Sequence, residues 1–537
     1  MLLAIFSECY RILCAILSPC QQFAMILTIV FFLVVLSCTV FFRQSLRKQT
    51  RYPLPPGPKK LPIVGNLFNM PRSGVAWLEY TALSRQYKSD IIHLSVLDNS
   101  IVVVNSAKIA SDLLDKRSLI YSSRRSTIML GKLVGWETVL PFRSNDSSWK
   151  QQRKIMSQAF PTDSTRFYPM LMRATRSLLK ALPCTDDIFD PLHVWAAVTI
   201  MDVTYGMNAE EAKAHLPIAE GAIEAIIVAG IPGAFFVDHI PILRYIPEWF
   251  PGAGFKIKAK IWAELRERMT NLPFGLTKER VAMGVAKPSL TSVALEQIDD
   301  QQDVGEQEAL IKTAAVAAYA GGSDTTVTAL HSFIWAMLQY PEVQIQAHHE
   351  LDRVVGPGNL PSFAHKASLP YIAAIVQETM RYYPVAPVVP HRLIVDDIYN
   401  GYLLPRGSAI VSNIGSMLYN EEVYPQPNIF NPARFLNNKG NLNPNVKDPA
   451  DYAFGFGRRV CPGKSFASAS LWLAIASILS CYSIEPKLDE HGEPIKPQLQ
   501  ERTQSGLTLL NKIPPFKCRF VPRSGDLPRM LDSNGED

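Results

Sequence analysis

The sequence predicts a mainly helical fold with small β-sheets, preceded by an apolar N-terminal segment. Three observations carry that expectation. From about residue 145 to 350 the apolar residues recur at helical spacing. Short β-branched runs appear only near 91–104, 388–412 and 505–521. Residues 23–42 read FAMILTIVFFLVVLSCTVFF, without a single charge.

Residues 1–22 are apolar but interrupted by Glu8 and Arg11, which leaves open whether they form a second membrane-associated helix. As a helix, 23–42 would span about 30 Å, the thickness of a bilayer's hydrocarbon core. Arg43, Arg47, Lys48 and Arg51 follow it at once, so the positive-inside rule places the rest of the chain in the cytosol. A cleaved signal peptide is the rival, disfavoured by the length of the run and the lack of a small-x-small site. Residues 43–66 form a basic, proline-rich hinge, stiffened by Pro53, Pro55, Pro56 and Pro58. Residues 67–520 are the folded unit, and 521–537 a polar tail expected to fray.

Within the folded unit, Ile91–Val96 and Ser100–Val104 read as a hairpin around Leu97-Asp98-Asn99, and 106–114 as a helix begun by serine. Prolines at 161, 169, 183, 217, 232, 241, 247, 251, 273 and 288 are expected to break the helical region. Glu306 to Gln339 is a long apolar helix ended by Tyr340-Pro341, and Leu369 to Tyr383 another ended by Pro384.

The chain has 537 residues, 47% of them hydrophobic and 19% charged, which excludes a disordered chain. A net charge of +6, with no nucleic-acid motif, disfavours nucleic acid as a partner. The eight cysteines lack metal-finger spacing and any dense even framework, as expected in a reducing compartment with one functional thiol. The sequon Asn145-Asp146-Ser147 would not be modified in the cytosol.

That thiol is Cys461, in Phe454-Gly455-Phe456-Gly457-Arg458-Arg459-Val460-Cys461-Pro462-Gly463. Glycines let the backbone turn tightly and approach a flat macrocycle. Amides freed by such a turn can point at sulfur, which lowers a thiol's pKa. The order Phe-x-x-Gly-x-Arg-x-Cys-x-Gly resembles the cysteine-ligand loop of the cytochrome P-450 superfamily. The resemblance implies haem b with Cys461 as axial thiolate, Phe454 and Gly463 shaping the loop, and Arg459 on a haem propionate. It also implies one large helical domain around the haem, although length alone would suggest three.

Further elements carry the same resemblance. Gly321 and Gly322 sit inside the long helix at about 1 kcal/mol each, a cost that calls for compensation. A helix crossing a haem face needs small residues there, and a hydroxyl can interrupt the ladder to make room for oxygen. Ala320-Gly321-Gly322-Ser323-Asp324-Thr325-Thr326 is similar to the oxygen-activation motif. By that resemblance Thr325 hydrogen-bonds the oxygen under activation and Asp324 relays protons. Glu378 and Arg381, three apart on one helix face, resemble the family's Glu-x-x-Arg pair, with Arg434 as third member of a buried structural network that holds the cysteine loop. Trp149 and Arg153 resemble its Trp-x-x-x-Arg element on the propionates. His391 resembles the propionate-contacting histidine, with Arg392 an open alternative. Arg143, Lys150, Lys154, Arg458 and Lys464 are candidates for a basic face toward an electron donor.

The chain is identified as a eukaryotic membrane-bound P-450, most similar to fungal enzymes related to O-methylsterigmatocystin oxidoreductase. The activity implied is monooxygenation with O2, taking electrons from NADPH through NADPH–cytochrome P-450 reductase, or cytochrome b5 as a second donor. Endoplasmic-reticulum lipid is the expected location, and fungal secondary metabolism or detoxification the expected setting. Segments 121–140, 218–236, 316–320, 385–389 and 505–507 are largely apolar and suggest a terpenoid, polyketide or polycyclic aromatic substrate. The alternatives are an oxygen-independent isomerase or dehydratase, and a non-catalytic haem sensor. The presence of Thr325 argues against both.

Overall fold

The computed structural model describes residues 51–71, 75–97, 99–185, 187–230, 234–495 and 510–525, with Thr28, Val30, Phe31, Val34, Val35, Leu527 and Leu531 besides. The described chain is mainly helical with small sheets. The principal helices are α1 (Ala76–Tyr87), α2 (Ser147–Ala159), α3 (Tyr168–Ala181), α4 (Phe189–Tyr205), α5 (Ala209–Ala229) and α6 (Gly254–Ala282). They continue with α7 (Leu290–Glu296), α8 (Val304–Gln339), α9 (Pro341–Val354), α10 (Pro370–Tyr382) and α11 (Lys464–Cys481). The strands are β1 (Ile91–Val96), β2 (Asn99–Val104), β3 (Val388–Arg392), β4 (Asp397–Tyr399), β5 (Tyr402–Leu404), β6 (Ala409–Asn413), β7 (Tyr482–Pro486) and β8 (Cys518–Pro522).

At the centre lies α8. It begins at Asp303, whose side chain caps the N–H of Glu306, and buries apolar residues on nearly every face. Such all-round apolarity marks a core helix rather than an amphipathic surface one. Its neighbours include α4, α2 and α11. A four-stranded sheet, ordered β1-β2-β6-β3, packs to one side. β1 and β2 form the expected hairpin, with Ile91 opposite Val104, and β2 then pairs in parallel with β6.

Several expectations need correction. Pro217 and Pro273 break nothing: they lie inside α5 and α6. Each removes one backbone bond from a long helix whose other residues remain bonded and packed. Residues 106–114 are α-helical only from Ala107 to Ala110, then widen into a π turn over Ser111–Lys116. The β7 strand was not anticipated, because it follows α11 without a turn signal. The tail boundary at 521 falls inside β8, and Arg523 holds both carboxylate oxygens of Asp352 at 2.8 and 2.9 Å. Leu527 and Leu531 are buried, which a polar frayed tail would not allow.

Residues 1–22, most of 23–42, residues 43–50 of the hinge and the expected strand and pocket positions 505–509 lie outside the described residues. The described positions of the apolar run are helical, with Val30, Phe31, Val34 and Val35 exposed. Among the described residues one helix is long and apolar enough to cross a membrane, α11, and it is mostly buried in the protein.

Candidate functional site

The cysteine loop is set by two left-handed glycines. Gly455 has φ +80° and Gly457 φ +57°. A Cβ on Gly457 would sit 2.0 Å from the Leu114 carbonyl, so the π turn at Ser111–Lys116 presses its backbone directly on this glycine. The Cys461 N–H donates to the Phe454 carbonyl at 2.8 Å, which closes the loop. Cys461 keeps accessible surface although its thiol is deeply enclosed, so it faces an internal space rather than bulk water. Burial pushes this thiol up; the Gly463 N–H and Arg153 oppose it and do not win. From the loop's spacing alone, its amides would be expected to lower it. The donor is present, but desolvation is the larger effect. A metal cation on the sulfur would reverse that balance.

Around the loop stand three half-buried arginines and a buried histidine. Arg459 donates to the carbonyls of Ser122, Leu140 and Arg143 at 2.7, 3.0 and 2.7 Å, and lies 4.3 Å from the centre of the Trp149 ring. Burial, then the charges of Arg124 and Arg153, pushes Arg459 down to about 9. Arg124, which sequence reasoning missed, donates to the Pro141 carbonyl at 3.1 Å and is pushed down to about 10 by burial. Arg153 reaches the Val460 carbonyl at 2.6 Å from α2. Burial lowers its pKa, and Cys461 only partly offsets this. His391 is buried and, among the described residues, both its ring nitrogens lack a hydrogen-bond partner, as does the Trp149 indole nitrogen. Burial, with Arg124 and Arg459 nearby, holds His391 far below the ordinary histidine range, so its ring is neutral. Strand alternation turns His391 inward and leaves Arg392 exposed, which separates the two alternatives by burial.

Among the described residues no carboxylate hydrogen-bonds Arg124, Arg153 or Arg459. Half-buried guanidinium groups in this state favour an anion. The two propionates of haem fit them, and the internal space at Cys461 offers the sulfur. The residues present therefore suit the group.

Opposite chemistry sits in the middle of α8. A Cβ on Gly322 would meet the Ile200 side chain at 2.6 Å, so this glycine permits close packing on α4. Gly321 has nothing within 4 Å and is exposed inside an otherwise buried helix, so it opens space. The helix is continuous here. Instead of interrupting the ladder, the Thr325 hydroxyl donates to the Gly321 carbonyl at 2.6 Å, and Thr326 repeats this on Gly322 at 3.0 Å. Asp324 is buried and bonded to Lys512 Nζ at 2.8 Å.

The Glu378 network is fully formed. Arg381 grips the Glu378 carboxylate with Nε and Nη2 at 2.7 and 2.8 Å, and Arg434 Nε lies 3.2 Å from it. Arg381 also donates to the carbonyls of Leu418, Pro427 and Ile429. Of the expected basic face, Lys150, Lys154 and Arg458 are exposed, while Arg143 is paired with Asp146 and Lys464 with Asp451.

Comparison with known proteins gives this geometry a family. The sequence model described as Cytochrome P450 matches residues 55–517. Cytochrome P450 monooxygenase 98 of Postia placenta is 48% identical over 481 residues, covering 89% of this chain and 92% of that protein. Tryptamine 4-monooxygenase of Psilocybe cyanescens is 37% identical over 500 residues, 92% of this chain and 97% of its own. Cytochrome P450 monooxygenase ple1 of Rhodocybe pseudopiperita is 36% identical over 489 residues, 90% and 92% respectively. The chain belongs to the cytochrome P450 family and is a monooxygenase, with the haem b and cysteine thiolate ligand that the family uses.

Proposed function

We propose that the enzyme inserts one oxygen atom of O2 into a C–H bond of an apolar organic substrate, with Cys461 as the haem's axial ligand. The observation that carries this reading is the Cys461 thiol in an internal space ringed by half-buried arginines that, among the described residues, hydrogen-bond carbonyls and no carboxylate. Haem, when bound through thiolate, supplies the oxygen chemistry and the electron push for O–O cleavage. The protein's own groups do the rest. Arg124, Arg153, Arg459, Trp149 and His391 hold and orient the propionates, while Phe454 and Gly463 keep the cysteine loop in shape. Glu378, Arg381 and Arg434 brace the segment leading into that loop. Gly321 leaves room on α8, the Thr325 hydroxyl orients a proton, and Asp324 supplies it.

Two electrons come from NADPH through a reductase, with cytochrome b5 as a further donor. Lys150, Lys154 and Arg458 offer the exposed charge for docking. The setting is the endoplasmic-reticulum membrane, reached through residues 23–42. A terpenoid, polyketide or polycyclic aromatic substrate suits the buried Val316, Ala317 and Ala318 on α8. One relative is named for tryptamine, an indole that carries an alkylamine. The likeness to O-methylsterigmatocystin oxidoreductases belongs to the same expectation.

Co-expression with a reductase, followed by an apolar substrate panel read by difference spectroscopy and product analysis, tests the reading. The reduced protein with carbon monoxide should show a red-shifted Soret band, and NADPH should drive product formation. Turnover of charged hydrophilic compounds alone would sink the substrate class. Product formation without O2 would favour an isomerase or dehydratase, and none at all with any electron donor a sensor.

A further inference from the structure

Protons bound for Thr325 must cross from water to a buried carboxylate, and the side chains around Asp324 suggest how. Asp324 Oδ1 lies 2.8 Å from Lys512 Nζ and 3.8 Å from His193 Nε2 on α4. Its other oxygen, Oδ2, is buried and has no hydrogen-bond partner among the described residues. The second ring nitrogen of His193, Nδ1, lies 3.3 Å from Glu220 Oε1 on α5. Side-chain exposure rises steadily along this line, from 10% at Asp324 through 23% at His193 to 50% at Glu220. An imidazole with a carboxylate at each nitrogen can accept at one and release at the other.

We propose that Glu220, His193 and Asp324 form a proton entry line to Thr325, with Lys512 a clamp competing with His193 for the same Asp324 oxygen. The proposal rests on the monooxygenase reading above. The balance is simple: a proton from water reaches Glu220 and passes to Nδ1, and the proton on Nε2 leaves for Asp324. Ring charge is unchanged, and exchange with water, which takes the proton from Nδ1 and returns one to Nε2, restores the starting tautomer. The 3.8 Å gap is an ion-pair distance, and a shift of about 1 Å or less brings it within hydrogen-bond reach.

Other charged and titratable groups face this line. They are His331 on α8 and Lys512 from the C-terminal segment. His331 is pushed down to about 3 by burial, then by His193 and Lys512, so it stays neutral and does not compete. Its ring stacks at 4.5 Å on Phe516 and lies 4.0 Å from Phe189, which packs it away as an apolar plate. Burial raises the Asp324 carboxyl, but the contacts to His193 and Lys512 outweigh it and leave Asp324 below its ordinary value. All these residues except Asp324 lie outside the motif on α8, so the line belongs to this chain's own packing. His193 and Glu220 are positioning residues acting through Asp324.

The test uses the full-length holoenzyme with its reductase, and the variants His193→Phe, His193→Gln and Glu220→Gln. Product per NADPH should fall about tenfold in His193→Phe, with hydrogen peroxide released instead and KM unchanged. His193→Gln, which can still hydrogen-bond but cannot carry a proton through, should stay equally uncoupled; full recovery there would reduce His193 to a structural prop. Glu220→Gln should enlarge the solvent deuterium isotope effect on turnover. A separate arm needs no turnover: the infrared band of protonated Asp324, identified by its loss in Asp324→Asn, should appear at higher pH in His193→Phe and in Lys512→Met. A band unmoved by His193→Phe overturns the proposal whatever the kinetics show. Absence of the carbon monoxide band in every protein, parent included, would instead refute the haem reading.

Discussion

Two clusters of arginine in this molecule, one buried and one half-buried, look alike in composition and differ in what satisfies them. Arg381 and Arg434 share the Glu378 carboxylate and spend their remaining donors on backbone carbonyls, so charge and hydrogen bonds are both met internally. Among the described residues Arg124, Arg153 and Arg459 hydrogen-bond carbonyls but no carboxylate, Asp146 acting on Arg459 only through its charge, and His391 and Trp149 keep buried nitrogens with no partner. The first cluster is complete as protein. The second is complete only with an anion. What a buried charge lacks therefore says more about function than the fact of its burial.

The contrast breaks most visibly at the sulfur. Cys461→Ser should abolish the red-shifted carbon monoxide band and all NADPH-driven product; a band that survives would remove the thiolate from the argument. Next in size, Glu378→Gln should cost about 3–5 kcal/mol, since two buried guanidinium groups lose their shared anion. Denaturant unfolding checks it, and a loss under 1 kcal/mol, a value we set as the limit for an exposed pair, would make the network ornamental.

Arg459→Met sharpens the comparison because the size of its effect should depend on the haem. Without haem it should lower the melting temperature only slightly, since removal of a partly desolvated charge offsets much of the loss of its bonds to the Ser122, Leu140 and Arg143 carbonyls. With haem it should speed haem transfer to apomyoglobin about tenfold or more, the worth of one charge-assisted hydrogen bond. His391→Leu should behave likewise but more weakly, and equal haem loss in variant and parent would take either residue off the propionates.

The smallest effect concerns pH. Asp324 is held below its ordinary value by His193 and Lys512 against burial, so its stabilising contribution is full above the unfolded carboxyl pKa. It is lost as pH falls through the folded value. Asp324→Asn should therefore lose less stability than the parent on acidification from about pH 5 to pH 3. Melting curves across that range decide it.

The clusters also differ in legibility. Glu378 and Arg381 sit three apart on one helix, so their contact is a property of local sequence. Cys461 and its glycines are likewise contiguous, and the helical and strand periodicity around them was readable. Arg124 was invisible because nothing near it in sequence marks it; it bonds the Pro141 carbonyl, and the groups its charge acts on, His391 and Arg459, come from β3 and the cysteine loop. Lys512 meets Asp324 across 188 residues, and His193 and Glu220 come from separate helices. The misread prolines share a cause with these: local propensity at Pro217 and Pro273 yields to packing over a long helix. The thiol of Cys461 was misjudged in direction because burial is not written in a loop's spacing.

The parallel pairing of β2 with β6 has a consequence for biosynthesis. Ile101 waits for Ala409, and at a ribosomal speed of about 5–20 residues per second that partner emerges on the order of 15–60 s later. Through that interval Ile101, Val102, Val103 and Val104 present an apolar ribbon with one unpaired edge, the kind of segment that recruits neighbouring nascent chains. Recovery of this enzyme from a heterologous host should thus respond to chaperone supply and to slowed growth more than to any change at its haem pocket.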